Sequence, residues 1–255
     1  MAQLVHFVVL GGAIGLSACV PASTESVRRL AATGELVAFS GAGAGAANAC
    51  FACHGLQGQG DGGFTPRLAG LDAGYLERQL IAYADGRRVH VQMSWIAGRL
   101  EEGERRTVAA YYAAMPVPAA AGTQAVSVVA ARLYHDGDPA RGLSSCASCH
   151  GARGEGFGPA HPPLAVQPAG YLAAQLDQWR HAKRRTDPGD AMLRVSQLLT
   201  PRESAALAAY AAALSGGPPS RGSPAAFLAA RRDDPRSGAS EPPLHVPESA
   251  RATAR

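Results

Sequence analysis

The chain has 255 residues and a mass of 26.2 kDa, which suits one or two domains. Hydrophobic residues make up 47% of the sequence and charged residues 17%, a balance that permits a buried core and excludes wholesale disorder. The net charge of +4 is too small to indicate nucleic-acid binding, so we expect no such partner. The five cysteines need an explanation, because an odd number cannot all be paired.

The N-terminal segment accounts for one cysteine. Residues 4–16 are mostly apolar, but the run is shorter than the roughly 20 residues that span a bilayer, and it suits a secretory signal better. A small residue, Ala18, precedes Cys19 at its end, as in bacterial lipoprotein signals, although no Lys or Arg precedes the run. We predict a lipoprotein-type signal over residues 1–19, lipidation of Cys19 and a periplasmic protein anchored to a membrane. An ordinary cleaved signal or an uncleaved anchor with an incidental cysteine is the alternative.

The other four cysteines belong to an internal repeat. Two copies of Cys-x-x-Cys-His-Gly begin at Cys50 and Cys146, 96 residues apart. The same offset relates further residues: Pro66 to Pro162, Leu68 to Leu164, Gly74 to Gly170, Tyr75 to Tyr171, and Gln79 to Gln175. After a three-residue insertion near Asp187 the offset becomes 99. A fixed offset over so many positions indicates a tandem duplication of one module.

The periodicity within each module is helical. Leu76, Leu80 and Tyr83 recur at i, i+4 and i+7, and so do their counterparts in the second copy. Thr200, followed by Pro and then by Glu203, is typical of a capping box that opens a helix. Sustained alternation with a period of two is absent from the sequence, so the predicted fold class is all-α.

Composition changes along the chain set the predicted boundaries. The segment after Gly216 is rich in Pro, Gly, Ser and Arg and loses its periodicity, which is typical of disorder. The predicted organisation is a signal at 1–19, a tether at 20–33, a first helical domain at 34–118, a linker at 119–122, a second helical domain at 123–216 and a disordered tail at 217–255. Domains this small with only 6% aromatic residues have marginal cores, which a buried macrocycle would complete.

The repeated Cys-x-x-Cys-His motif is the attachment signature of c-type haem. Two thiols one helical turn apart add to the two haem vinyl groups, and the adjacent histidine reaches the iron. Zinc binding or a redox disulfide are the alternatives. Zinc does not explain why a histidine follows at once in both copies, and a redox disulfide lacks its usual βαβ context. We predict two covalent haem c groups, attached through Cys50, Cys53, Cys146 and Cys149, with His54 and His150 as iron ligands.

Methionines supply the candidates for the second axial ligand. Met93 and Met192 are equivalent in the repeat, and we expect both to lie in loops before the last helix of their modules and to coordinate the iron. Met115 lies on an apolar helical stripe and is predicted to belong to the core. With both axial positions filled, the iron would transfer electrons without activating small molecules.

The repeated motifs together resemble the dihaem cytochrome c4 family over about residues 35–215. The resemblance implies two class I cytochrome c domains around a pseudo-twofold axis, with haems close enough to exchange electrons. It also implies that the carbonyl groups of Pro66 and Pro162 orient the haem histidines. The first module departs from the family pattern, because alternating Gly and Ala over residues 41–46 replace a well-formed first helix.

The function implied by the resemblance is that of a periplasmic electron carrier, not an enzyme. Its expected partners are membrane or periplasmic redox proteins: a quinol-oxidising complex or a dehydrogenase on one side and a terminal oxidase or reductase on the other. The alternatives are a dihaem peroxidase and the cytochrome subunit of a dehydrogenase. A peroxidase needs an open iron, for which the sequence offers one route, loss of Met93 with His90 moving in.

Basic residues follow the first long helix of each module. Arg87, Arg88, Lys183 and Arg184 are either partners of the haem propionates or cations that suit the negative end of the helix dipole.

Overall fold

The computed structural model describes residues 33–119 and 127–217. The predicted signal with Cys19, nearly all of the tether, most of the linker and all but the first residue of the tail lie outside the described residues. The described part contains helices and no strand, with isolated bridges only, which confirms the all-α prediction. Among these residues no single helix is long and apolar enough to cross a membrane; the bent pair Thr33–Ala44 and Ala46–His54 reaches the threshold only when taken together.

The first module consists of five helices. They are α1 (residues 33–40), α2 (Cys50–His54), α3 (Ala73–Ala84), α4 (Val91–Ala97) and α5 (Glu102–Ala114). The expectation that the Gly/Ala stretch replaces the first helix was wrong, because α1 precedes it. Gly41, with φ of 72°, follows the end of α1, and the stretch forms two 3₁₀ turns, Ala42–Ala44 and Ala46–Asn48.

The second module repeats this order. Its helices are α6 (Val128–Asp136), α7 (Ala147–His150), α8 (Ala169–Arg180), α9 (Ala191–Leu198) and α10 (Pro201–Ala212). The predicted capping box is present, since the backbone N–H of Glu203 donates to Thr200 Oγ1 at 3.2 Å and the N–H of Thr200 donates to Glu203 Oε2 at 2.8 Å. It opens α10 where the sequence predicts.

Each module has its own core between corresponding helices. In the first, α3 packs against α4 and α5, and in the second α8 packs against α9 and α10. Met115 packs against the first core, as expected. The first core comprises Val37, Ala38, Leu71, Tyr75, Leu76, Leu100, Val108, Ala109 and Tyr112; the second comprises Leu133, Tyr134, Leu143, Leu172, Leu199, Leu207, Ala208 and Ala211.

The two modules meet along a surface that is nearly symmetric. Arg88 and Arg184, equivalent in the repeat, form an antiparallel bridge, and the N–H of Arg185 donates to the Arg87 carbonyl at 2.8 Å. Backbone pairing of equivalent residues is what a pseudo-twofold axis between two copies of one module produces.

Candidate functional site

The cysteine pairs lie on two short helices, α2 and α7, where each pair spans about one turn. In the described residues all four motif cysteines are free. Burial raises the pKa values of Cys50 and Cys146 to about 11, whereas Cys53 is exposed. The first sulfur of each pair therefore faces the interior of its module, and Cys53 marks the surface end of the first site.

The histidine of the first motif is held in one tautomer. His54 is 6% exposed, and its Nδ1 lies 2.9 Å from the carbonyl oxygen of Pro66. Because a carbonyl oxygen only accepts, Nδ1 carries the proton and Nε2 keeps its lone pair. Burial lowers the pKa of His54, which favours the neutral ring that coordinates metals. The imidazole is thus prepared as an iron ligand.

The second motif repeats this geometry. His150 Nδ1 lies 2.9 Å from the carbonyl oxygen of Pro162, and burial lowers the pKa of His150 to about 4. The backbone carbonyls of His54 and His150 also accept equivalent hydrogen bonds at 2.8 Å, from the N–H groups of Gly60 and Gly156. The loop that follows each motif therefore orients its histidine through the same two hydrogen bonds in both modules.

A cavity of about 660 Å³ opens beside His54. Its volume falls in the range of cofactor sites, about 300–1,000 Å³. Met93 lines the same cavity as His54, so the structure brings the two predicted ligands of the first module to one space. The apolar part of its wall includes Leu68, Leu76, Leu80, Ile96, Leu100 and Val108.

The expectation that the two methionines lie in loops was wrong. Met93 lies in the first turn of α4, whose N-cap is His90; the N–H of Met93 donates to His90 Nδ1 at 3.3 Å. Met192 lies in the first turn of α9, and its N–H donates to Asp187 Oδ2 at 2.7 Å. Histidine is an unusual N-cap, and Asp187 is separated from the start of α9 by a 3₁₀ turn. For these reasons the sequence did not indicate where α4 and α9 begin.

The cavity also has a basic wall that the sequence analysis only partly anticipated. Arg88 and Arg184 are 4% and 3% exposed, and both line the cavity. Each guanidinium reaches across to the other module: Arg88 donates to Tyr171 Oη at 2.8 Å, and Arg184 donates to Tyr75 Oη at 3.1 Å.

Two glutamines complete this network. Gln79 Oε1 accepts from Arg88 and from Arg184, both at 2.9 Å, and Gln175 Oε1 accepts from the same two arginines at 2.8 Å. We name the six residues the arginine network: Tyr75, Gln79, Arg88, Tyr171, Gln175 and Arg184. Their shared offset of 96 was visible in the sequence and is the signal that could have found them.

The arginine network fits an anionic group. Within the described residues, neither Arg88 nor Arg184 lies in ion-pair distance of a carboxylate; their partners are neutral. Buried charges are normally paired, so two buried guanidiniums with neutral partners suit haem propionates. The neighbouring cations Arg87 and Lys183 differ from this pair: Arg87 is exposed and pairs with Asp85 at 2.8 Å, and Lys183 is exposed.

A third buried arginine lies at the same boundary. Arg67 is 1% exposed, and it donates to the carbonyls of Ala69 and Ala165, the latter at 3.2 Å. Its Nε is buried without a partner, and burial lowers its pKa to about 10. No sequence signal indicated Arg67, because its counterpart in the second module is Pro163.

Comparison with known proteins agrees with this geometry. The family model described as Cytochrome c matches residues 40–118 and again residues 131–215. Cytochrome c4 from Thiocapsa roseopersicina is 35% identical over 65% of this chain and 87% of its own length. The chain belongs to the dihaem cytochrome c4 family. This cytochrome therefore has two covalently bound haem c groups, and it is an electron carrier.

Two further relatives are linked to a dehydrogenase. The thiosulfate dehydrogenase electron acceptor of Stutzerimonas stutzeri (strain A1501) is 42% identical to this cytochrome over 75% of the chain and 90% of its own length. The thiosulfate dehydrogenase TsdBA from Marichromatium purpuratum matches in structure with a TM-score of 0.63 and 38% identity. That match covers 72% of this cytochrome but 40% of the longer chain.

Proposed function

We propose that this cytochrome accepts electrons in the periplasm from a dehydrogenase of the thiosulfate-oxidising kind and delivers them to a terminal oxidase or reductase. The observation that carries the proposal is the cavity shared by His54 and Met93 beside a buried pair of arginines. The names of two relatives, an electron acceptor of thiosulfate dehydrogenase and a thiosulfate dehydrogenase, support the choice of donor. A quinol-oxidising complex is the competing donor.

The proposed haem ligands divide the work within each module. Cys50, Cys53 and His54 hold the first haem with Met93, and Cys146, Cys149 and His150 hold the second with Met192. Haem iron, once bound, supplies one-electron chemistry by alternating between its ferrous and ferric states. The chain's own residues fix the imidazole tautomer and enclose the first site in apolar side chains, and the two guanidiniums that line this cavity would supply counter-charges to haem propionates.

A histidine and a methionine that both bind the iron would leave it no open position for a substrate, so we propose that this cytochrome is not itself an enzyme. The peroxidase alternative requires His90 to leave its present role. His90 Nδ1 accepts the N–H of Met93, and the backbone N–H of His90 lies 3.2 Å from Ser94 Oγ. These contacts tie His90 to the start of α4, and no contact in the described residues favours the peroxidase.

The ligand assignment is tested by replacing one methionine at a time in the haem-loaded protein. Met93→Ala and Met192→Ala should each lower the potential of one haem by on the order of 0.1 V, within the ~0.8 V that axial ligands span. The reason is the loss of a thioether that favours ferrous iron. Each variant should also lose half of the near-infrared methionine–iron band and bind carbon monoxide at one haem. Met115→Leu is the matched control, and rapid carbon monoxide binding by the wild type would contradict the assignment.

The donor is tested by mixing the oxidised protein with purified thiosulfate dehydrogenase from Stutzerimonas stutzeri and thiosulfate, and following the haem bands. We expect both haems to be reduced in the presence of both components and neither with thiosulfate alone. Reduction by a quinol-oxidising complex, with none by the dehydrogenase, would replace the proposed donor by the competing one.

We also propose that Cys19 is lipidated and that residues 20–33 tether the haem domains near membrane oxidoreductases. An unpaired thiol in an oxidising compartment is a liability, and several acyl chains would anchor the protein stably. We expect wild-type protein in the membrane fraction, released by detergent but not by salt, and Cys19→Ser in the soluble periplasmic extract with both haems intact. An intact mass without acyl chains would contradict lipidation.

A further inference from the structure

The mouth of the first haem cleft carries apolar side chains that face solvent. Val91 is 88% exposed and Trp95 is 42% exposed, and together with Asn48 and Gln92 they line a shallow groove. Asn48 and Gln92 also line the large cavity that holds His54 and Met93. The groove therefore begins at the mouth of the cleft.

The apolar surface continues along the motif helix α2. Phe51 stacks on Phe39 with ring centroids 5.0 Å apart, and Phe39 is 40% exposed. Cys53, two residues after Phe51, is exposed. We define the first-module rim as Phe39, Phe51, Val91 and Trp95. Phe51 follows Asn48 by three residues, so α2 and the turn before it join the stacked phenylalanines to the groove.

The equivalent positions of the second module are polar or small. They are His135, Ala147, Asp190 and Arg194. Asp190 and Arg194 are exposed, and His135 Nε2 lies 2.8 Å from Tyr210 Oη. The two modules share their haem motifs and the arginine network but differ in the character of the surface around the cleft mouths.

Single exposed apolar residues are ordinary, but an apolar group at the mouth of a redox cleft marks a contact site. Electrons cross between proteins where a redox centre comes nearest the surface, and Cys53, a predicted attachment point of the first haem, is exposed. Arg99 contacts the rim, since its guanidinium lies 3.7 Å from the Trp95 ring centroid. An apolar, weakly charged surface suits a partner surface of the same character. Charged groups on the partner would lose their hydration against the rim and find few opposite charges there.

We propose that the first-module rim is the docking surface for the electron-donating dehydrogenase, and that this partner presents an uncharged, apolar surface around its own redox centre. The inference rests on the proposed function. Electrons enter this cytochrome through the first module, next to Cys53, and pass to the second module across the interface that the arginine network spans. The polar mouth of the second module is left for a different partner.

The test transplants the second module's surface onto the first in the full-length, haem-loaded protein. Val91→Asp combined with Trp95→Arg installs the residues found at positions 190 and 194. The measurement is the second-order rate of reduction by thiosulfate dehydrogenase of Stutzerimonas stutzeri with thiosulfate, beside the rate with dithionite. We expect the dehydrogenase rate to fall at least about tenfold, the size of a lost contact at the centre of an interface. The dithionite rate and the haem spectrum should stay unchanged.

Val128→Asp is the matched control, because Val128 is 83% exposed and lies on α6 of the second module. It should leave both rates within about twofold of wild type, as expected for a charge outside the interface. The wild-type rate should also change little between about 20 and 200 mM salt, since an uncharged contact is insensitive to screening. Should the double variant load haem poorly, Val91→Asp alone serves the same comparison.

The outcomes distinguish a wrong choice of electron donor from a wrong choice of docking surface. If dithionite reduces the wild type but the dehydrogenase does not, the proposed donor is wrong and the docking surface falls with it. If the dehydrogenase reduces wild type and rim variant at equal rates, the docking inference alone is overturned. A slower rate for Arg194→Glu, with a steep dependence on salt, would likewise overturn it and place the donor on the second module.

Discussion

The two modules each bury a tyrosine in their core, but on different helices. In the first, Tyr112 on α5 is buried, and Ala38 on α1 is fully buried in the same core. In the second, Tyr134 on α6 is buried and Ala211 on α10 takes the small position. Ala38 and Tyr134 are related by the offset of 96, and Tyr112 and Ala211 by the offset of 99.

This exchange shows what duplication preserves in a packed core. Both cores keep a buried tyrosine and a buried alanine on their first and last helices, whereas the helix that supplies the ring differs. Tyr112 borders Cys50, and Tyr134 Oη donates to the Gly151 carbonyl at 2.8 Å. In both modules a tyrosine therefore packs beside the haem motif.

Residues of the arginine network at the interface are identical in the two modules, unlike the tyrosine and alanine positions of the cores. Tyr75, Gln79 and Arg88 have identical residues at their counterparts. A twofold contact must be complementary to itself, so each change there would have to be matched by its partner. The surface around the cleft mouths has no such constraint, and there the first-module rim is replaced by polar or small residues.

The largest effect should come from removing either ring. Tyr112→Ala and Tyr134→Ala should each lower the free energy of unfolding by about 3–5 kcal/mol, as large-to-small changes of buried aromatics do. Urea denaturation followed by haem absorbance measures the loss. Tyr111→Ala, at a half-buried position on the same helix, is the control and should cost less.

The exchange itself can be tested by moving the ring within the second module. Adding Ala211→Tyr to Tyr134→Ala should recover a measurable part of the lost free energy of unfolding, because it returns a ring to the same core. A double variant less stable than Tyr134→Ala alone would show that the modules are not interchangeable at this point.

Because the interface is nearly symmetric, replacing either arginine should lower the free energy of unfolding by the same amount. Arg88→Gln and Arg184→Gln should each destabilise the protein by about 1.5–3 kcal/mol, the size of hydrogen bonds to a charged group. Each should also lower a haem potential, since a nearby positive charge favours ferrous iron. Thermal denaturation and redox titration measure the two effects.

The double variant sharpens the comparison. Because Arg88 and Arg184 share Gln79 and Gln175, their effects should not add. Arg87→Gln is the control at the adjacent exposed position. Strictly additive losses, or a loss on one side only, would argue against one shared network.

The smallest expected effect is on the pH dependence of stability, and it arises at α10, the last helix of the second module. Glu203 in the α10 capping box also pairs with Arg141 at 2.9 Å, and hydrogen bonds from Arg141 lower its pKa to about 2. A carboxylate with a lowered pKa stabilises the fold above its ordinary value of 4.5 and loses that contribution as the pH falls towards about 2. The first module has Gly45 at the position equivalent to Arg141.

Arg141→Gln should therefore flatten the fall in stability between about pH 5 and 2, with only a small loss of stability at neutral pH because solvent screens the pair. Unfolding free energies across that range measure it. Arg202→Gln, exposed on the same helix, is the control. An unchanged pH profile in Arg141→Gln would mean that the pair contributes nothing to stability.

The sequence by itself determined the duplication, the helical class and the haem motifs. All residues of Cys-x-x-Cys-His are close together in the sequence, so their spacing alone indicates haem attachment, whatever the position of the helix in the fold. The helix periodicity at Leu76, Leu80 and Tyr83 and the capping box at Thr200 are local too, and both were predicted from short windows.

Only the tertiary structure decided the features that join distant residues. Met93 lies in the first turn of a helix that the His90 side chain caps, and Arg88 is buried because a second module covers it. The same sequence signal, a basic residue after a helix, is exposed at Arg87 and buried at Arg88. Burial and partner choice depend on which surfaces meet across some hundred residues of chain, and no local window contains that information.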